Sequence, residues 1–182
     1  MTAIIIIAIL AVPLFWGIGV QRKLVNQEEL CKNAMSQIGV QQNSRWDALT
    51  ALVELVKSYN EHEYNTLKDV ISMRQPLGRN STAAEVNAQE NAINDAMRQI
   101  NVAVERYPEL KANENYAKAM DSVNLYENQV RMSRMVYNDT VTKYNKIVRQ
   151  FPESIVAGLL KFGIKEYLAE PQGKTDMPSM KI

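Results

Sequence analysis

The chain has one cysteine and one histidine in 182 residues. A lone cysteine, Cys31, forms no internal disulfide and suits a reducing compartment. His62-Glu63 invites a metal reading, but a zincin helix needs a second histidine where Thr66 stands. A carboxylate di-iron bundle needs Glu three residues before the histidine, and Tyr59 stands there. On one helix Cys31 and His62 would lie about 46 Å apart at 1.5 Å per residue, which counts against a Cys–His nucleophile within one chain. Cys31 therefore reads as a small buried hydrophobe. No glycine-rich phosphate loop occurs. Neither sign of charge is in marked excess: the net charge is +1. Lys111, Lys118, Arg131 and Arg134 make no basic stripe, so nucleic acid is not an expected partner. Glycine (7) and proline (6) are few and clustered, and no strand-like alternation is present. The expectation is an all-α body that is not an enzyme, with no catalytic, cofactor-binding or metal-ligating residues.

What is present begins at the N-terminus. Residues 3–20, AIIIIAILAVPLFWGIGV, carry no charge, and Arg22 and Lys23 follow. A bilayer core about 30 Å thick needs roughly 17–25 apolar residues in a helix, so this run just qualifies as a transmembrane helix. Pro13 removes one internal donor and predicts a kink. Phe15 and Trp16 suit the headgroup region, and Gly17 and Gly19 allow close approach of another helix. Met1-Thr2-Ala3 lacks the basic start of a signal peptide, and residues 17–20 make a poor cleavage site, so the run is expected to stay uncleaved. The basic flank places the body in the cytoplasm and the N-terminus outside. The chain thus divides into a transmembrane anchor (1–21), a helical bundle (22–170) and a polar tail (171–182).

In the body, Leu24, Cys31, Ile38, Arg45, Leu52 and Tyr59 recur every seven residues, partnered by Met35, Gln42, Leu49, Val56, Glu63 and Val70. This is the seam of one long helix running to about Met73, with Gly39 as a soft spot. Residues 74–81, RQPLGRNS, break it. Thr82 and Glu85 form a capping box before a second helix with Val86, Ile93, Ile100 and Tyr107 in register, backed by Met97 and Val104. Pro108 stops it and opens a third helix. There Tyr116, Val123, Val130, Tyr137, Tyr144 and Phe151 recur, with Met120, Glu127, Arg134, Val141 and Val148 as second row. Arg45, Glu63, Glu127 and Arg134 are charges on apolar seams and are expected to pair across helices; ligand binding stays open as their other role. Tyr137-Asn138 and Tyr144-Asn145 read as packing tyrosines before they read as a ligand site. Residues 154–162, SIVAGLLKF, predict a short helix capped by Gly163, with a further turn over 164–170 that docks Tyr167 and Leu168. Trp46, Val53, Leu55 and Leu125 fall off the two main rows and either widen the core or face another subunit.

These residues also carry a resemblance. Val40-Gln41, Arg45, Asp47, Leu52-Val53-Glu54 and the run VKSYNEHE at 56–63 are similar to the VQ…R.DL…LVE.VK.Y..HE run of the LemA family. YPELKANENY at 107–116 is a second match. Glu127-Asn128, Arg134, Tyr137-Asn138, Tyr144-Asn145, Phe151-Pro152, Ile155, Ala157, Phe162 and Tyr167 are a third. The chain departs from the family pattern at Met35 (usually Trp), Gly39 (usually acidic), Thr50 (often Pro) and Gln21-Arg22 (often Tyr-Asn). The resemblance implies a membrane-anchored, mostly antiparallel bundle of about four helices with a cytoplasmic body. It implies no defined activity. One branch is similar to magnetosome-membrane proteins, which points to membrane organisation.

The expectation is a non-enzymatic scaffold held on a lipid bilayer, a homo-oligomer on the cytoplasmic face of a bacterial inner membrane. The alternative is an adaptor for another membrane protein, such as a protease or a signalling complex.

Overall fold

Two long helices set the architecture: α1 (Thr2–Lys57) and α5 (Glu114–Arg149). They pack antiparallel. Arg45 of α1 meets Glu127 of α5, while Leu24 and Cys31 share a core with Tyr144 and Ile147. The computed structural model describes residues 2–58 and 61–169; for residues 2–10, 61–63, 66 and 70 it describes the backbone alone. The Tyr59, Glu63 and Val70 positions of the expected first seam, and the tail 171–182, therefore lie outside the described residues or side chains. Every regular element among the described residues is a helix.

α1 runs unbroken through the apolar run into the body, and its 56 residues span about 84 Å. It ends at Lys57, not near Met73. The Ser58 N–H and hydroxyl both turn back to the Leu55 carbonyl. α2 (Glu61–Ile71) then folds back on α1. Tyr64 donates its hydroxyl to Glu54 at 3.1 Å, and the Lys57 ammonium sits 4.9 Å above the Tyr64 ring. The face that α2 turns inward carries Tyr64, Leu67 and Ile71, one position off the expected Glu63–Val70 row. The break between α1 and α2 resets the helical phase, which no continuous seven-residue count can follow.

Residues 72–82 descend along α1. Arg74 pairs with Asp47 at 2.7 Å, Leu77 lies over Gly39, and Arg79 pairs with Glu29. Gly39 is thus no soft spot. A Cβ there would stand 2.6 Å from the Leu77 carbonyl oxygen, so only glycine lets the descending chain come this close.

α3 (Ala83–Arg106) starts with the expected capping box: the Glu85 N–H donates to Thr82 Oγ1 at 3.2 Å, and the Thr82 N–H donates to Glu85 at 2.7 Å. Its apolar row is buried as expected, at Val86, Ile93, Ile100 and Val104. Pro108 opens only a single turn, α4 (Pro108–Lys111). α5 starts at Glu114, because Asn113 accepts the first free donors from Asn115 (2.8 Å) and Tyr116 (3.4 Å). Tyr116, Val123, Val130, Tyr137 and Tyr144 line its buried face. Phe151, expected to end that row, lies past the helix end at Arg149 and is 77% exposed.

α6 (Glu153–Leu159) closes in a Schellman motif: the Phe162 N–H donates to the Ala157 carbonyl and the Lys161 N–H to the Gly158 carbonyl. Lys161, at φ 60°, takes the left-handed position that sequence assigned to Gly163. Residues 162–169 form no further turn; they run non-helically back along α5, burying Leu168 and leaving Tyr167 half exposed.

Two apolar cores result. The core far from the N-terminus is built by α1, α2, α3 and α5 around Trp46, Leu49, Ile93 and Ile100. The core near it is built by α1 and α5 around Leu24, Ile38 and Tyr144, joined by Ala83 and Val86 at the start of α3, with the Leu77 loop, α6 and the C-terminal segment filling the rest.

Candidate functional site

Between the two cores lies a polar layer. Arg45, only 2% exposed, donates to Glu90 of α3 at 2.9 Å and to Glu127 of α5 at 3.4 Å. The cross-helix pairing expected of Arg45 and Glu127 is therefore present, and Glu90 joins it. Glu127 is also reached by Arg131, one turn on. Arg134 donates to Asn87 of α3 at 3.0 Å and to the Ala169 carbonyl. Burial lowers the Arg134 pKa from its ordinary value; Glu90 opposes that and Arg45 adds to it. Among the described residues Gln42, 1% exposed, has no hydrogen-bond partner for either end of its amide, and Arg45 Nε, Glu90 Oε2 and Arg134 Nη1 are likewise unpartnered. Each such atom costs about 1–3 kcal/mol unless water reaches it. Next to this layer Gln89 ties the descending loop to α1. Its Oε1 accepts from Trp46 Nε1 and from the Gln75 N–H, both at 3.0 Å, and its Nε2 donates to the Met73 carbonyl at 3.1 Å.

Sequence reasoning singled out Arg45, Glu127 and Arg134 but missed Asn87, Gln89 and Glu90. Glu90 was within reach, since it stands four residues after Val86 and three before Ile93, on the same apolar stripe.

The Tyr-Asn pairs do have a ligand, and it is the chain's own C-terminal segment. Asn145 accepts from the Lys165 N–H and donates to the Lys165 carbonyl, both at 2.8 Å. Asn138 does the same with Leu168, at 2.9 and 3.0 Å. Tyr144 donates its hydroxyl to the Gly163 carbonyl at 2.9 Å and Tyr137 to the Glu166 carbonyl at 3.3 Å. Seven residues of helix rise about 10.5 Å and three extended residues span about 10 Å, so rungs seven apart on α5 match backbone three apart on the segment. Burial pushes the Tyr144 phenol up to about 12 and raises those of Tyr137 and Tyr116. Lys165 adds a salt bridge to Glu28 of α1 at 3.2 Å and lies 5.2 Å above the Tyr144 ring.

Cys31 is buried in the core near the N-terminus, and burial pushes its thiol up. The side chains of His62 and Glu63 lie outside those described. Among the described residues no group of three or more His, Cys, Asp or Glu stands together as a metal site. Among the described residues no helix is long and apolar enough to cross a membrane; the run 3–20 falls partly on residues 3–10, whose side chains are not described.

Of the residues off the main rows, Trp46 and Val53 are buried and Leu55 packs against the same core, so they widen it. Leu125 instead faces out. With Met132, Met135 and Val136 it forms a stripe on the outer face of α5, each residue half exposed or more.

The LemA family model matches residues 34–181. The chain is also 25% identical over 159 residues to Protein LemA of Metamycoplasma hominis, a match covering 84% of this chain and 71% of that protein. With a long α1–α5 pair, Tyr-Asn rungs on α5 and a family match across most of its length, the chain belongs to the LemA family.

Proposed function

We propose that the protein is a membrane-anchored, non-enzymatic scaffold whose copies self-associate on the cytoplasmic face of a bacterial membrane. The observation that carries this is the outer stripe of α5. Leu125, Met132, Met135 and Val136 stand at least half exposed on a helix whose other side is packed. Their three-to-four spacing is that of a helix–helix seam, and among the described residues no helix covers it. The apolar run 3–20, with Arg22 and Lys23 behind it, supports a single-pass anchor with its N-terminus outside. The buried charges are engaged with one another and with the backbone, which supports a structural role for Arg45, Glu127 and Arg134.

The test is the mass of the full-length protein in detergent, by light scattering. The scaffold reading expects several copies per particle, falling towards one copy in a Met132→Glu, Val136→Glu variant that keeps its helical content. A strict monomer at micromolar concentration overturns it. Crosslinking in native membranes distinguishes the rival: a scaffold recovers mainly itself, whereas recovery of one distinct membrane protein favours an adaptor.

A further inference from the structure

The end of the bundle nearest the N-terminal run carries apolar side chains that the fold leaves in the open. Phe151 is 77%, Leu159 78% and Ile164 69% exposed, with Ile155 and Leu160 also exposed. Their place along α1 follows from the helix pairing. Arg45 opposite Glu127 in an antiparallel pair puts the end of α5, Arg149, opposite Lys23. In agreement, Ala157 of α6 and Ile147 of α5 share one core with Val20 and Leu24. α6 and the turn after it therefore sit level with the residues where the apolar run 3–20 ends.

The charge around this patch has one sign in excess. Arg22, Lys23, Arg149 and Lys161 are exposed there, against Glu166 and a half-buried Glu153. Lys161 adds a second, independent observation. It is the one described non-glycine residue with positive φ, at a position where glycine is the unstrained choice. A cation is held there at some conformational cost, between Leu160 and Phe162. Apolar side chains beside long cationic ones suit the headgroup boundary of a bilayer, where the stems lie among acyl chains and the charges among phosphates. A second copy fits less well, because two such faces brought together would oppose like charges.

We propose that Phe151, Ile155, Leu159, Leu160 and Ile164 form a docking surface for the headgroup boundary of the leaflet from which α1 emerges, with Arg22, Lys23, Arg149 and Lys161 facing anionic lipid. The proposal rests on the anchor reading of residues 3–20. It holds α1 upright at two points, the anchor and the α6 end, and so sets how the scaffold stands on the membrane.

The experiment uses the full-length chain in vesicles of phosphatidylcholine, with or without phosphatidylglycerol. A single cysteine is introduced at Leu159, Ile164 or, as a control on the outer stripe, Met132, and labelled with an environment-sensitive fluorophore; the buried Cys31 stays in place. Lipids carrying a nitroxide near the headgroup are expected to quench the label at 159 and 164 but not at 132. Lys161→Gly, which suits the backbone there, is expected to lessen that quenching in phosphatidylglycerol vesicles. Carbonate extraction on the same samples reports the anchor separately. Labels at 159 and 164 that stay as unquenched as 132, in protein that resists extraction, overturn the docking surface and leave the anchor standing. A blue-shifted label that lipid nitroxides do not quench means another copy covers the face, and also overturns it. Protein released by carbonate overturns the anchor and this proposal together.

Discussion

The carboxamide of Asn138 pairs with the main chain of Leu168 as a neighbouring strand would, accepting its N–H at 2.9 Å and donating to its carbonyl at 3.0 Å. Asn145 repeats the arrangement at Lys165. A carboxamide supplies the separate donor and acceptor that this pairing uses. Asn138→Ala is expected to cost about 1–3 kcal/mol, two net hydrogen bonds, in chemical denaturation. Asn138→Asp should cost more, because a carboxylate would then face the Leu168 carbonyl. Amide exchange at Lys165 and Leu168 should rise in both variants before exchange in the α3 core does, which tests whether the segment opens by itself.

Arg45 is buried with Glu90, so removing Arg45 takes from the Glu90 carboxylate the cation it pairs with. Arg45→Ala is expected to destabilise by about 3–5 kcal/mol, while Arg45→Met with Glu90→Leu should recover most of that loss. Measured by denaturant titration, strict additivity of Arg45→Ala and Glu90→Ala would count against their pairing. Glu127→Ala should cost less, since that carboxylate is partly exposed and holds Arg131 as well.

Gly39→Ala tests a sign. Propensity alone favours alanine by about 1 kcal/mol inside a helix. Contact with the Leu77 carbonyl opposes it, and the backbone cannot yield as a flexible side chain would. A net loss of about 1–3 kcal/mol is expected, read as a lower Tm, with proteolysis rising at residues 77–78.

Lys161→Gly should raise stability by about 1 kcal/mol, as it relieves a left-handed lysine. Lys161→Val, branched at the same φ, should lower it. Thermal melts of the three proteins give the order directly.

Alkaline pH should unfold the protein from the Tyr-Asn side. Tyr144 titrates at about 12 in the folded chain, above the ordinary 10.0, and Tyr137, Tyr116 and Cys31 are raised as well, all chiefly by burial. For groups raised by folding, the stabilisation is complete below the unfolded pKa and is lost as pH climbs through the folded one. Stability should therefore hold to about pH 9 and decline towards pH 12. Tyr144→Phe should be less stable at neutral pH, having lost its bond to Gly163, yet decline less steeply in alkali.

Seven-residue rows were enough to identify most of the core of α1, α3 and α5, because a helix repeats its faces whatever it packs against. Leu24, Ile38, Leu52, Ile93 and Val130 are buried as their spacing demands. The same rows failed at Lys57 and Phe151, where the helix stops and the phase no longer applies. The capping box at Thr82 was legible because its partners are three residues apart. The pairing of Asn138 with Leu168 spans thirty residues, and no local pattern announces it.

What the sequence determined by itself was helical content, the apolar run 3–20, and a body without recognisable catalytic motifs, all consequences of composition and short-range spacing. Only the tertiary structure decided that Gly39 is a contact, that Arg45 draws in Glu90 from α3, and that the Tyr-Asn pairs bind the chain's own end. The physical reason is common to all three. Each depends on segments far apart in sequence meeting at hydrogen-bond or van der Waals distance, and that meeting is set by where the helices turn back.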